Sequence, residues 1–151
     1  MEKSIDWEFD SYMQKMFQVQ EMDIREYSSL ALAYIGDCIY DMIIKTLVIR
    51  RGDAQVKDLH ARTTFYVQAS AQSKMMRTLQ EILTDEERAV YKRGRNTKSV
   101  SVAKNQTMID YRRATGFEAL IGYLYLKKDW ERMLYLVKVG LDGLDGGFLN
   151  E

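Results

Sequence analysis

The sequence predicts an all-α domain, on three observations. It contains no proline, its apolar residues recur at helical spacing along most of the chain, and no stretch shows the period-two alternation of a half-buried strand. Its 151 residues suffice for one core and fall short of two ordinary domains, so a single domain over 1–151 is expected. Hydrophobic residues at 46% and charged residues at 29% place it with folded chains rather than disordered ones.

The elements follow in order. The first helix is expected over roughly Phe9 to Gln20, where Tyr12, Met13, Met16 and Phe17 share one side and Met13 and Met16 read as core filling. The second starts at Ser28 or Ser29, either of which can cap it, and runs to about Arg50 before Gly52 stops it. Ala54 to Glu81 fits further helix, broken near His60, with Ala69, Ala71, Met75, Met76 and Leu79 facing inward. Thr84-Asp85-Glu86-Glu87 has the capping-box spacing and opens a short helix through Tyr91. The polar stretch from Gly94 to Asn105 reads as a loop, and helices over Thr107 to Lys127 and Asp129 to Leu144 complete the set.

Lysine plus arginine and aspartate plus glutamate both number 22, which excludes a uniformly cationic coat but not a local basic patch. A single cysteine excludes an intramolecular disulfide framework and suits a reducing compartment. The N-terminal MEKSIDWEFD is too acidic and polar for a secretory signal, and no apolar run reaches the ~18 residues of a membrane span. A cytoplasmic protein without membrane association is the expectation.

Two carboxylates stand out against apolar surroundings. Leu30 to Ile44 is apolar on nearly all sides, as a buried helix would be, yet Asp37 sits in its middle and Asp41 one turn further on. Glu118 is the only formal charge between Ala114 and Leu126. Buried carboxylates need a cation or donors beside them. Gly36, Gly116 and Gly122 each cost a helix ~1 kcal/mol relative to alanine, so close helix–helix approach is their best explanation. A crossing near Gly36 and Gly116 would bring Asp37 and Glu118 together. Hard oxygen ligands without histidine or paired thiolates would then select Mg²⁺ or Mn²⁺ over zinc. The competing reading is a structural salt bridge or a carboxylate facing a groove.

Between these helices the charge changes sharply. Residues 92–113 carry seven Lys/Arg against Asp110 alone, whereas residues 1–26 carry three basic residues against seven acidic ones. The basic stretch includes Lys92, Arg93, Arg95, Asn96, Lys98 and Lys104, a set of donors suited to phosphate oxygens. A solvated loop is the plainer alternative.

Leu32-Ala33-Tyr34-Ile35-Gly36-Asp37-Cys38-Ile39-Tyr40-Asp41 resembles the signature helix of the ribonuclease III endonuclease domain, and Thr115 to Leu126 resembles that domain's second metal-binding helix. Arg93-Gly94-Arg95-Asn96, Ala103-Lys104-Asn105, Leu59-His60 and Val67-Gln68-Ala69-Ser70-Ala71-Gln72 resemble the Mini-ribonuclease III subfamily, which has the catalytic domain without a double-stranded-RNA-binding domain. The resemblance implies an all-helical bundle that forms a two-fold homodimer through the signature helix and cleaves double-stranded RNA to 5′-phosphate and 3′-hydroxyl ends. It implies a role in maturing precursor 23S ribosomal RNA, with a large-subunit ribosomal protein assisting. It assigns Asp37 and Glu118 as catalytic acids holding Mg²⁺, with Mn²⁺ as a substitute, and the basic stretch as the RNA grip. Two positions depart from ribonuclease III proper, where Ala33 and Thr115 replace carboxylates, so water or substrate should fill more of the metal's coordination. Asp41 and Thr115 are expected to support the metal ligands from behind, or, for Asp41, to pair across the dimer.

Other features have plain readings. His60, the only histidine, fits a structural role at a helix end, Cys38 a small buried residue, and Tyr66, Tyr91 and Tyr111 packing. The Leu30 to Ile49 helix is apolar around more of its circumference than one small bundle covers, which a self-complementary two-fold contact would resolve. Two other functions compete. A non-catalytic RNA-binding or ribosome-associated protein on the same fold is favoured by the two missing carboxylates. An all-α nucleotide pyrophosphatase would need E-x-x-E pairs, but Glu118 has Thr115 and Ile121 three residues away.

Overall fold

The computed structural model describes residues 5–97 and 107–150. Seven α-helices occupy them: α1 Ile5–Phe17, α2 Ser29–Arg51, α3 Val56–Val67, α4 Ala69–Leu79, α5 Asp85–Asn96, α6 Met108–Leu126 and α7 Trp130–Asp142. Short 3₁₀ turns lie at Ile24–Glu26 and Phe148–Asn150, and no strand occurs among the described residues. None of their helices is long and apolar enough to cross a membrane.

Side-chain caps set several starts, at Ser28 and Thr84 as the sequence suggests and at Thr107 besides. Ser28 Oγ accepts the Ala31 amide at 3.1 Å, and Thr107 Oγ1 accepts the Asp110 amide at 3.0 Å. Thr84 and Glu87 form a reciprocal capping box that opens α5. Such caps contribute about 1 kcal/mol each.

Several features differ from expectation, among them α1, which spans Ile5–Phe17 rather than Phe9 to Gln20. The helix after Ala54 runs unbroken past His60, which is exposed within α3, and the break falls at Gln68. There the backbone turns extended (ψ 152°), and Gln68 ends α3 and caps α4 at once. α5 continues past Tyr91 to Asn96, so Gly94, Arg95 and Asn96 are helical rather than loop. Gly94 presses on α6, where a Cβ would come 2.8 Å from that of Ala119, and this packing holds the extra turn in place. The apolar side of α1 is exposed: Phe9, Tyr12, Met16 and Phe17 are at least 60% accessible, so Met16 fills no core, and Met13 is 36% accessible. An electrostatic tie from α1 to the body runs through Lys128, which pairs with Asp10 at 3.0 Å and also with Glu21 beyond the helix.

α6 is the central helix and packs against α2, α4, α5 and α7. Phe117, Leu120, Ile121 and Leu124 are fully buried along it, each worth about 1.5–3 kcal/mol of transfer free energy. Met75, Met76 and Leu79 of α4 complete the core as expected, as do Tyr66 and Tyr91. Tyr40 of α2 packs edge-on against Phe117 at 5.0 Å and donates its hydroxyl to the Tyr66 carbonyl at 2.9 Å.

One buried ion pair ties α5 to α7. Arg132 grips Glu87 with two bonds of 2.8 Å and also donates to the Ile82 carbonyl at 2.7 Å. Burial alone would raise the Glu87 pKa, but the bonds from Arg132 and Thr84 outweigh it and hold the carboxyl below its ordinary value. Arg132→Ala strands that carboxylate in the core and is expected to cost about 3–5 kcal/mol, read as a lower urea midpoint.

Candidate active site

The crossing of α2 and α6 builds the site. A Cβ at position 36 would fall 1.7 Å from the Glu118 carbonyl oxygen, and one at position 122 would fall 2.0 Å from the Leu32 carbonyl oxygen. Only glycine at both positions lets the two backbones touch. The crossing therefore pairs Gly36 with Gly122, not with Gly116 as the sequence suggests. Gly116 instead receives the ring of Tyr91 from α5.

Backbone contact at Gly36 sets the next residue, Asp37, beside Glu118. Burial, then the adjacent Asp37 charge and a hydrogen bond to Asp37, push the Glu118 pKa up to about 8, while a bond from Gln72 partly offsets this. A carboxyl in that state is poised to lose its proton to a cation, because two like charges at one place disfavour ionisation until a positive charge joins them. Asp37 is exposed rather than buried, since α2 is covered on one side only. Its other side presents Leu30, Tyr34, Cys38 and Met42 at successive turns and Ile49 two turns further on, with Tyr34 83% accessible. Cys38 is thus exposed, contrary to its expected burial.

A cavity of about 190 Å³ opens beside Glu118, lined by Val67, Ala69, Gln72, Tyr111, Ala114 and Thr115. Thr115 is buried and directs its hydroxyl to the Tyr111 carbonyl at 3.0 Å, within its own helix. Asp41 is paired with Lys45 at 3.0 Å on the same helix. Sequence reasoning quoted Gln72 but gave it no task. It lies on the same stripe of α4 as Met75, Met76 and Leu79, and a polar residue on a core stripe is the signal that could have found it.

The basic residues of α5 stand at its C-terminal end. Lys92, Arg93 and Asn96 are exposed and Arg95 is partly so. Arg95 lies 5.7 Å from the Tyr91 ring and donates to Asn96 at 3.2 Å. Because Gly94 and Tyr91 pack on Gly116 and Ala119, this cationic turn is fixed to the stretch of α6 that carries Glu118. Positive charge there also complements the helix C-terminus. Lys98 and Lys104 lie outside the described residues.

The donor set suits a hard divalent cation. Two carboxylates meet, and no third His, Cys, Asp or Glu joins them among the described residues. Mg²⁺ binds in this manner, through one or two carboxylates with water and phosphate oxygens filling the rest.

The model of the ribonuclease III domain matches residues 30–129. The chain is 43% identical over 143 residues to Mini-ribonuclease 3 of Clostridium tetani, covering 92% of this chain and 95% of that one. It is 44% identical over 117 residues to Mini-ribonuclease 3 of Enterococcus faecalis, covering 76% and 89%. A crystal structure of a Fusobacterium nucleatum protein superposes with a TM-score of 0.72 at 30% identity, over 82% of this chain and 98% of the other.

Proposed function

The chain belongs to the ribonuclease III family, on its Mini-ribonuclease 3 branch, and from that premise we propose a Mg²⁺-dependent endoribonuclease that cuts double-stranded RNA as a homodimer. The observation that carries the reading is the convergence of Asp37 and Glu118 at a glycine-lined crossing beside a cationic helix end. Asp37 and Glu118 hold the ion. When bound, the ion would supply Lewis-acid polarisation of a phosphate and lower the pKa of a coordinated water. Lys92, Arg93, Arg95 and Asn96 offer donors to phosphate oxygens, which suits recognition of duplex RNA by shape. The exposed apolar face of α2, from Leu30 to Ile49, supports a two-fold contact that would set one site against each strand. Precursor 23S ribosomal RNA as the substrate, assistance by a large-subunit ribosomal protein, and cytoplasmic action belong to the same reading and rest on the family branch.

Labelled duplex RNA with Mg²⁺ at low salt should be cut to 5′-phosphate and 3′-hydroxyl ends by a chain that sediments as a dimer, and chelation should stop the reaction. Duplex binding without cutting, in either Mg²⁺ or Mn²⁺, would instead make the protein a binding module. Precursor 23S transcripts, with and without large-subunit proteins, test the finer assignment. Arg95→Ala is expected to weaken duplex binding several-fold and reduce the slope of log affinity against log salt by about one, with the melting temperature unchanged. An unaltered salt slope would remove Arg95 from the RNA surface.

A further inference from the structure

Gln72 carries an unmet hydrogen-bonding demand at the centre of the site. It is 1% exposed, and its Nε2 donates to the Val67 carbonyl at 3.0 Å. It also lends a hydrogen bond that favours the charged form of Glu118. Its Oε1 is buried with no partner among the described residues. Leaving such an acceptor unsatisfied costs about 1–3 kcal/mol, which a partner in the adjoining cavity would recover. The amide lines the same cavity as Glu118 and Thr115. The Thr115 hydroxyl is turned into its own helix, and Ala33 offers no oxygen, so the two positions where the family pattern has acids supply nothing equivalent.

We propose that Gln72 is a positioning residue of the metal centre, its Nε2 steadying the Glu118 carboxylate and its Oε1 accepting a hydrogen bond from the hydration shell of the divalent cation. The proposal rests on the metal-dependent reading of Asp37 and Glu118. It gives α4 a direct part in the site and explains how a centre with two carboxylates orients a heavily hydrated ion. Groups that orient ligands in this way are typically worth 10–100-fold in metal affinity.

The test is Mn²⁺ binding to the full chain without RNA, followed by electron paramagnetic resonance of the free ion, for wild type, Asp37→Asn, Gln72→Leu and Gln72→Glu. Circular dichroism melting checks that each variant is folded. Wild type should bind saturably and Asp37→Asn should not. Gln72→Leu should bind about 10-fold more weakly. Gln72→Glu, which keeps an oxygen acceptor, should match or exceed wild type. Wild-type affinity in Gln72→Leu overturns this inference alone. Should Gln72→Leu not fold, weakened binding by Gln72→Glu overturns it equally. Absence of any site that Asp37→Asn removes overturns the metal reading and this inference with it.

Discussion

Glu118→Gln is expected to abolish cleavage of duplex RNA while making the metal-free protein more stable. The loss should be on the order of 10³-fold, since a metal ion supplies several kcal/mol of transition-state stabilisation. Asp37→Asn should lose activity to a similar degree. The gain in stability has a separate cause. The Glu118 carboxyl is raised from 4.5 to about 8 in the folded chain, by burial and by Asp37. The folded state therefore holds its proton more tightly than the unfolded chain does. The stability this confers is complete below the unfolded value and is lost as pH rises through about 8. Metal-free wild type should weaken by on the order of 3 kcal/mol between pH 4.5 and pH 8 through this group. Glutamine, which does not ionise, should flatten that slope. Mg²⁺ should restore wild type at pH 8 and leave Glu118→Gln unmoved. Equal pH slopes in urea titrations of the two proteins would refute the coupling.

Gly36→Ala and Gly122→Ala are expected to be the most damaging single-methyl changes in the chain. Each new Cβ would meet a backbone carbonyl, at 1.7 Å from Glu118 and 2.0 Å from Leu32. Backbone at the middle of two long helices yields only if the helices separate. Separation would open the core around Phe117 and Leu120 and move Asp37 away from Glu118. A loss above about 3 kcal/mol is expected for either, a large share of the roughly 5–15 kcal/mol that stabilises a domain. Gly52→Ala is the control: its backbone is extended (φ 170°) and nothing lies within 4 Å of the added carbon. It should change stability by less than about 0.5 kcal/mol. A wild-type urea midpoint in Gly36→Ala would mean the helices do not meet through that glycine.

Much of this architecture was legible in the chain because local chemistry specifies it. Ser28, Thr84 and Thr107 each cap a helix through their own side chains, so those starts need no tertiary partner. The inward stripe of α4 and the long apolar run of α6 show directly as periodicity. Asp37 and Glu118 stood out because charge in an apolar helix calls for compensation wherever the helix lands.

The elements that sequence reading misplaced depend on what packs against them. The break at Gln68 and the continuation of α5 to Asn96 are set by the surfaces of α4 and α6, and no residue at either point announces them. Met16 of α1 and Cys38 of α2 looked buried, yet both face outward, because hydrophobicity states a need for cover without saying which surface provides it. The sequence by itself determined the helical class, the caps, the two acids and the basic turn. Only the tertiary structure decided that Gly36 meets Gly122, that Gly116 receives Tyr91, and that Gln72 reaches Glu118. Those pairings join residues dozens of positions apart through close-packed backbone, and a one-dimensional pattern records which residues are small or polar but not which of them will touch.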